Sequence, residues 1–391
     1  MSSLRPAVPP VRVLAVADTD SYLKWGAATL DAMPAHWRTT QVVVDNPVRP
    51  SAAQIAAATD RPVEVLDRAA LLRRIRLERP DVVLLACTGP VVATLSNARV
   101  LAGPRRPLLV TGLPGISVPA TRRAIRARAR CDLMLLHSHR EVDEFRAKAA
   151  AHWPGLAFGL ARLPFLPPLA PAPSTPAEGD LVFAAQAKFP RHREEREEVL
   201  LALARTSGAV VKLRAVAGEE QTHREAWSYL GLRDELVAAG SAEVADVRFA
   251  GGSMREALGR ARGLVTVSST AVLEAMALGL PVLLLSDFGV EPNLSNVVFE
   301  GSGCFGTLDD LRAGRLVHPD PIWLEANYFH PDRENDWLDA VARLLAVRAR
   351  GELPVRPRPA LRGRLRRRLR LAVPPRLRPV VRLLLLRGPA H

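Results

Sequence analysis

Between Arg262 and Leu285 the chain reads R-G-L-V-T-V-S-S-T-A-V-L-E-A-M-A-L-G-L-P-V-L-L-L. An apolar run gives way to three hydroxyl residues, Ser268, Ser269 and Thr270. An amphipathic helical stretch follows, ending at Gly279, and Pro281 opens a second apolar run. Hydroxyls at a strand-to-helix turn have two chemical uses: one caps the helix, while the others, with the free amides of the first turn, can face an anion such as phosphate. Glu274, one turn further in and on nearly the same face, has the reach to bind a ribose or sugar hydroxyl. Gly279 and Pro281 end the helix and redirect the chain.

A second group of reactive side chains sits near the amino terminus. Asp18-Thr19-Asp20 follows an apolar run, with Lys24 a turn later. Carboxylates at a strand end can take a proton from a hydroxyl nucleophile. They can also hold Mg²⁺, although two acids in three residues is a weak metal signal. Lysine is scarce: four Lys against 50 Arg, with Lys188 and Lys212 near strand ends. That scarcity singles out Gln186-Ala187-Lys188 and Lys212-Leu213-Arg214 as anion-binding candidates. Gly112 and Gly115 bracket a loop in which a ligand can approach the backbone. His137 and Glu291 also follow apolar runs and complete the candidate set.

Alternating elements must position these groups. Val11 to Ala17, Thr40 to Val44, Val63 to Leu66, Asp81 to Ala86, Leu108 to Thr111 and Asp132 to His137 read as strands. They are apolar throughout and separated by helical patterns, which predicts a parallel sheet covered on both faces. A Pro-rich stretch spans 163–179. The alternation then restarts with strands at Leu181 to Ala185, Ala209 to Leu213, Val247 to Ala250, Leu264 to Val267 and Val282 to Leu285, and helices at His192 to Arg205 and Gln221 to Ala239. The expected fold is α/β, with two tandem Rossmann-like domains (1–162 and 180–350), a linker at 163–179 and a tail at 351–391. The expected site is the cleft between the carboxyl ends of the two sheets.

The strand, the Ser-Ser-Thr turn and Glu274-Ala275-Met276-Ala277-x-Gly279-x-Pro281 together resemble the nucleotide-binding segment of glycosyltransferases with the two-Rossmann GT-B architecture. The paired hydroxyls are similar to the Ser-Ser or Ser-Thr motif of bacterial capsule sialyl- and Kdo-transferases. The opening V-L-A-V-A-D-T-D-S-Y-L-K-W is similar to a family of actinobacterial proteins assigned as glycosyltransferases. The resemblance implies a nucleotide-sugar donor held by Gln186, Lys188, Lys212, Arg214, Ser268, Ser269, Thr270 and Glu274. It implies an acceptor or sugar near Lys24, Gly112, Gly115, His137 and Glu291, with Asp18 or Asp20 as the base. Two features depart from the pattern. The residue eight before Glu274 is Thr266, so the Glu-x7-Glu pair of many retaining enzymes is absent, which favours inversion. The His-Pro pair of the sialyl and Kdo families is missing beside Lys212, which argues against a CMP-activated donor. The alternatives are a sugar-nucleotide epimerase of the same architecture and an inactive, membrane-associated nucleotide- or glycan-binding homologue.

The net charge is +14, but residues 351–391 carry twelve Arg and a single acid, so the body is nearly neutral. A neutral body with no basic stripe and no stacking platform argues against nucleic acid as a partner. Leu361, Leu365 and Leu369 among six Arg describe a basic amphipathic helix, and residues 355–387 suit an anionic membrane surface. A lipid-linked or cell-envelope glycan acceptor fits that placement, as in polysaccharide biosynthesis. Cys87, Cys131 and Cys304 are scattered and form neither a disulfide framework nor a zinc site. No apolar stretch is long enough for a membrane span or a signal peptide, so the expectation is a cytoplasmic protein, peripheral at the inner face of the membrane. No cofactor is expected to be required.

Overall fold

A computed structural model describes residues 10–103, 105–171, 178–213 and 227–356. They build two parallel sheets. The first contains β1 (Arg12–Ala17), β2 (Arg38–Val44), β3 (Val63–Leu66), β4 (Val82–Ala86), β5 (Leu108–Gly112), β6 (Leu133–Leu136) and β7 (Ala157–Leu160), in the spatial order β3-β2-β1-β4-β5-β6-β7. The second contains β8 (Asp180–Ala184), β9 (Ala209–Lys212), β10 (Arg248–Ala250), β11 (Ala261–Thr266), β12 (Val282–Leu285) and β13 (Phe305–Gly306), in the order β10-β9-β8-β11-β12-β13.

Residues 82–86 and 133–136 are buried at every position because helices cover both faces of the sheet, and that is why the strands are continuously apolar. Two strands were not expected. The segment forming β7 alternates too little to stand out, and β13 is two residues long. Within the helix expected over Gln221 to Ala239, residues 221–226 lie outside the described residues. Its described part is Tyr229–Ala238, capped by the Ser228 hydroxyl accepting from the Gly231 amide.

The topology has one consequence for function. In each sheet the strand order reverses once, between β1 and β4 and between β8 and β11. The helices that follow the two strands of such a pair leave in opposite directions, which opens a crevice at their carboxyl ends where ligands bind in open α/β sheets.

The packing redraws two expected boundaries. Leu163 and Leu166, assigned to the linker, are buried in the core of the second domain, and the Ala170 amide donates to the Ala277 carbonyl at 2.7 Å. Apolar side chains thus seat this stretch on the second domain; residues 172–177 lie outside the described residues. The closing helix Trp337–Ala349 returns to the first domain, where Trp337, Ala340 and Val341 join the core built on Val13, Leu84 and Val110. Its buried stripe faces the first sheet, so the chain crosses between domains twice.

The carboxyl edges of the two sheets meet at this crossing. Ile116 and Val118, in the loop after β5, pack into the second core. Arg140, after β6, donates from Nη1 to the Val298 carbonyl, after β12, at 3.1 Å. Glu141 was not among the candidates, yet it is fully buried here. It accepts from the Ser117 amide at 2.8 Å, the His137 amide at 2.8 Å and the Tyr328 hydroxyl at 2.7 Å, so one carboxylate ties both domains. Beside it His139 Nε2 lies 2.8 Å from Glu334.

Candidate functional site

A cavity of about 460 Å³ opens at the carboxyl edge of the second sheet, at its point of strand reversal. Gln186, Lys188, Lys212, Ser268, Ser269, Thr270 and Glu274 line it, so seven of the eight expected donor residues come together. The eighth, Arg214, lies outside the described residues.

Local structure explains their placement. Val182 of β8 lies beside Leu264 of β11, and Phe183 beside Val265, so the two chains leave the sheet in step. Three residues past the last pair, Gln186 meets Ser268. The Gln186 side-chain oxygen accepts from the Ser268 amide at 3.0 Å, and its Nε2 donates to the Ser268 hydroxyl at 3.1 Å. Ser268 is thereby occupied in building the floor. The Ser269 hydroxyl accepts from the Ala271 amide at 3.3 Å, a turn bond just ahead of the helix Ala271–Ala277, while Thr270 at the N-cap position is exposed. The expected capping hydroxyl is not found, since Thr270 stands at the N-cap position without a side-chain cap, and of the three hydroxyl residues only Thr270 is exposed.

Two ammonium groups supply the positive charge. Lys188 is exposed at the rim. Lys212 is buried at the end of β9, with Nζ 2.5 Å from the Leu213 carbonyl. Glu274 is half-buried, and burial raises its carboxyl above the ordinary value against the pull of Arg255. Thr266, where a retaining enzyme of the resembled type has its acid, is fully buried and donates its hydroxyl to the Ala184 carbonyl at 3.0 Å. Gly252 and Met254 also line the cavity and were not anticipated. Ser253 and Glu256, which form a capping box there, were the legible signal for that turn.

At the first sheet the expected residues separate. Asp18 is fully buried. Its Oδ1 and Oδ2 each lie 3.0 Å from the Thr88 amide, and the Thr88 hydroxyl donates to Oδ2 at 2.5 Å. Burial pushes this carboxyl up to about 6, against the lowering effects of the Thr88 hydrogen bonds and the Arg128 charge. Asp20 begins the helix Asp20–Asp31 and pairs with Lys24 at 2.8 Å, an exposed contact one turn apart. Lys24 is thus committed to a surface pair.

Two acceptor-side expectations are corrected by packing. The buried indole of Trp25 needs a hydrogen-bond acceptor and finds His137 Nε2 at 2.9 Å, while His137 Nδ1 lies 2.8 Å from the Ala161 carbonyl. His137 is therefore a buried packing group. A Cβ at Gly112 would lie 2.4 Å from the same Trp25 ring, so this glycine makes room for an indole and not for a ligand. Glu291 is exposed, is absent from the cavity lining, and takes part in its loop through its amide, which donates to Asn296. Gly115 has open space around its Cβ position. Among the described residues no cluster of three His, Cys, Asp or Glu side chains is arranged to hold a metal, and no helix is long and apolar enough to cross a membrane.

Two open parallel sheets with meeting carboxyl edges, and a hydroxyl- and lysine-lined cavity on the second, define a protein of GT-B architecture. Residues 13–344 match the model of the family described as "Putative glycosyltransferase (DUF6716)", and the chain belongs to that family. No curated protein sequence matches it. Among solved structures it is similar to S. aureus MnaA in a co-structure with UDP, at 11% identity over 89% of this chain and 99% of that one, with a TM-score of 0.51. It is also similar to a UDP-N-acetylglucosamine 2-epimerase, at 12% identity over 90% and 99% of the two chains with a TM-score of 0.49. The third is the lipopolysaccharide outer core galactosyltransferase WaaB in its apo form, at 11% identity over 88% and 100% with a TM-score of 0.47.

Proposed function

We propose that the protein is an inverting glycosyltransferase that holds a nucleotide-sugar donor in the second domain and a glycan acceptor against the first. The observation that carries this reading is the 460 Å³ cavity, where two lysines and a hydroxyl turn converge at a strand reversal. Lys188 and Lys212 neutralise the diphosphate, Ser269, Thr270 and nearby amides bind its oxygens, and Glu274 accepts from a ribose or sugar hydroxyl. Charge-assisted contacts of this kind contribute about 1.5–3 kcal/mol each. Such a cavity can stabilise the leaving diphosphate with ammonium groups, so the reading requires no metal. Thr266, fully buried, stands in place of a second acid, so Glu274 has no acidic partner eight residues before it, which supports inversion.

The acceptor is proposed to be lipid-linked. Arg356, the last described residue, is buried and pairs with Asp132 of the first domain at 2.6 Å, and the sequence beyond it is rich in Arg. Residues 357–391 themselves lie outside the described residues. The test is product analysis with UDP-, GDP-, TDP- and CMP-activated sugars, with and without glycan and polyprenyl-linked acceptors. Transfer predicts nucleotide release together with a glycosylated acceptor of inverted anomeric configuration. An altered nucleotide sugar formed without acceptor is the epimerase outcome, and binding without turnover is the inactive-homologue outcome; either removes this reading.

A further inference from the structure

The first sheet has a point of strand reversal of its own, and there Asp18, a candidate base by sequence, is joined to Thr88, which the sequence did not single out. Ala17 of β1 pairs in register with Ala86 of β4; Asp18 follows the first and Thr88 stands two residues past the second. Thr88 occupies the N-cap position of the helix Gly89–Leu95 but makes no side-chain cap. Its hydroxyl turns away and gives its proton to the buried Asp18 carboxylate at 2.5 Å. With that proton committed, the oxygen of half-buried Thr88 can only accept from an incoming group. A partner at this position must therefore be a donor, as a sugar hydroxyl is.

We propose that Thr88 touches the attacking hydroxyl of the acceptor, and that Asp18 behind it is the base that receives the proton through Thr88. The inference rests on the transferase reading and sharpens it. As the acceptor oxygen bonds to the anomeric carbon, the bond from that carbon to the donor phosphate breaks and its electron pair leaves with the diphosphate. The acceptor proton passes to Thr88 Oγ1 while the Thr88 proton passes to Asp18 Oδ2, and Asp18 later returns a proton to solvent. The titratable groups around Asp18 are Arg128, Tyr22 and Cys87. Tyr22 is pushed up to about 12 and the Cys87 thiol is raised by burial, so both stay neutral through the range where Asp18 titrates.

The test uses the full chain and follows nucleotide release from UDP-glucose, GDP-mannose, TDP-glucose and CMP-sialic acid, with water or octyl glucoside as acceptor. Calorimetry of the same donors is run alongside. Thr88→Val and Asp18→Asn should lower kcat by about 100-fold or more, the usual range for a lost general base, with donor affinity unchanged. Thr88→Ser should restore most of the rate. Wild-type kcat should fall as pH drops through about 6, and Asp18→Asn should lack that limb. A Thr88→Val protein with the wild-type rate and pH profile overturns the inference while leaving the transferase reading intact. A wild-type chain that neither binds nor cleaves any of these donors removes both.

Discussion

The two points of strand reversal have the same backbone plan and opposite chemistry. In the second sheet a neutral pair, Gln186 and Ser268, closes the gap between β8 and β11, and lysines stand above it. In the first sheet an acid and a hydroxyl, Asp18 and Thr88, close the gap between β1 and β4, with Arg128 buried nearby. The topology supplies a crevice in each case, and side chains decide what enters it. A cationic, hydroxyl-rich crevice suits an anion, whereas one closed by a half-buried oxygen that can only accept suits a hydroxyl donor. Glycosyl transfer needs one of each.

The sharpest way to break this division is the Thr88 and Asp18 series, where the largest effect is expected and should fall on turnover alone. Next in size, Lys212→Met should weaken donor binding by about 10- to 100-fold, the equivalent of one charge-assisted contact, without moving the pH profile of turnover. Calorimetry and a pH-rate series on the same preparation separate the two. If Lys212→Met changes the acid limb, or Asp18→Asn changes donor affinity, the two crevices do not hold separate roles.

A third variant probes what holds the first crevice in place. Gly112→Ala would press a methyl into the Trp25 ring and should cost about 1–3 kcal/mol of stability through overpacking. Gly115→Ala, with open space around it, should leave the denaturation midpoint where it is. Equal effects of the two would remove the packing account of Gly112. The smallest effect belongs to Ser269→Ala. Loss of one hydroxyl that supports the turn before the helix and lines the cavity should weaken nucleotide binding by about 3- to 10-fold, within the range of a lost neutral hydrogen bond.

How much of this was legible depended on sequence distance. The turn from Ser268 to Glu274 declares itself because strand, hydroxyls and helix are contiguous, and Lys188 and Lys212 were visible because each lies at or just past the end of an apolar run. The tandem sheets were legible because buried parallel strands are apolar without alternation. Thr88 was not legible: a threonine before a helix reads as an N-cap, and the carboxylate that diverts its hydroxyl is 70 residues away. Gly112 and His137 pointed the wrong way for the same reason, since both answer to Trp25, far earlier in the chain. The helix Trp337–Ala349 lies inside the 180–350 span expected for the second domain yet packs on the first, because an amphipathic stripe does not declare which sheet it covers.

The central claim is that the second crevice binds a nucleotide diphosphate. Its most direct test is isothermal titration of wild-type, Lys212→Met and Asp18→Asn proteins with UDP, GDP, TDP, CDP and CMP. The account predicts saturable binding of at least one nucleoside diphosphate by the wild type, clear weakening in Lys212→Met and no change in Asp18→Asn. Binding of none of the five, or binding indifferent to Lys212, would contradict it.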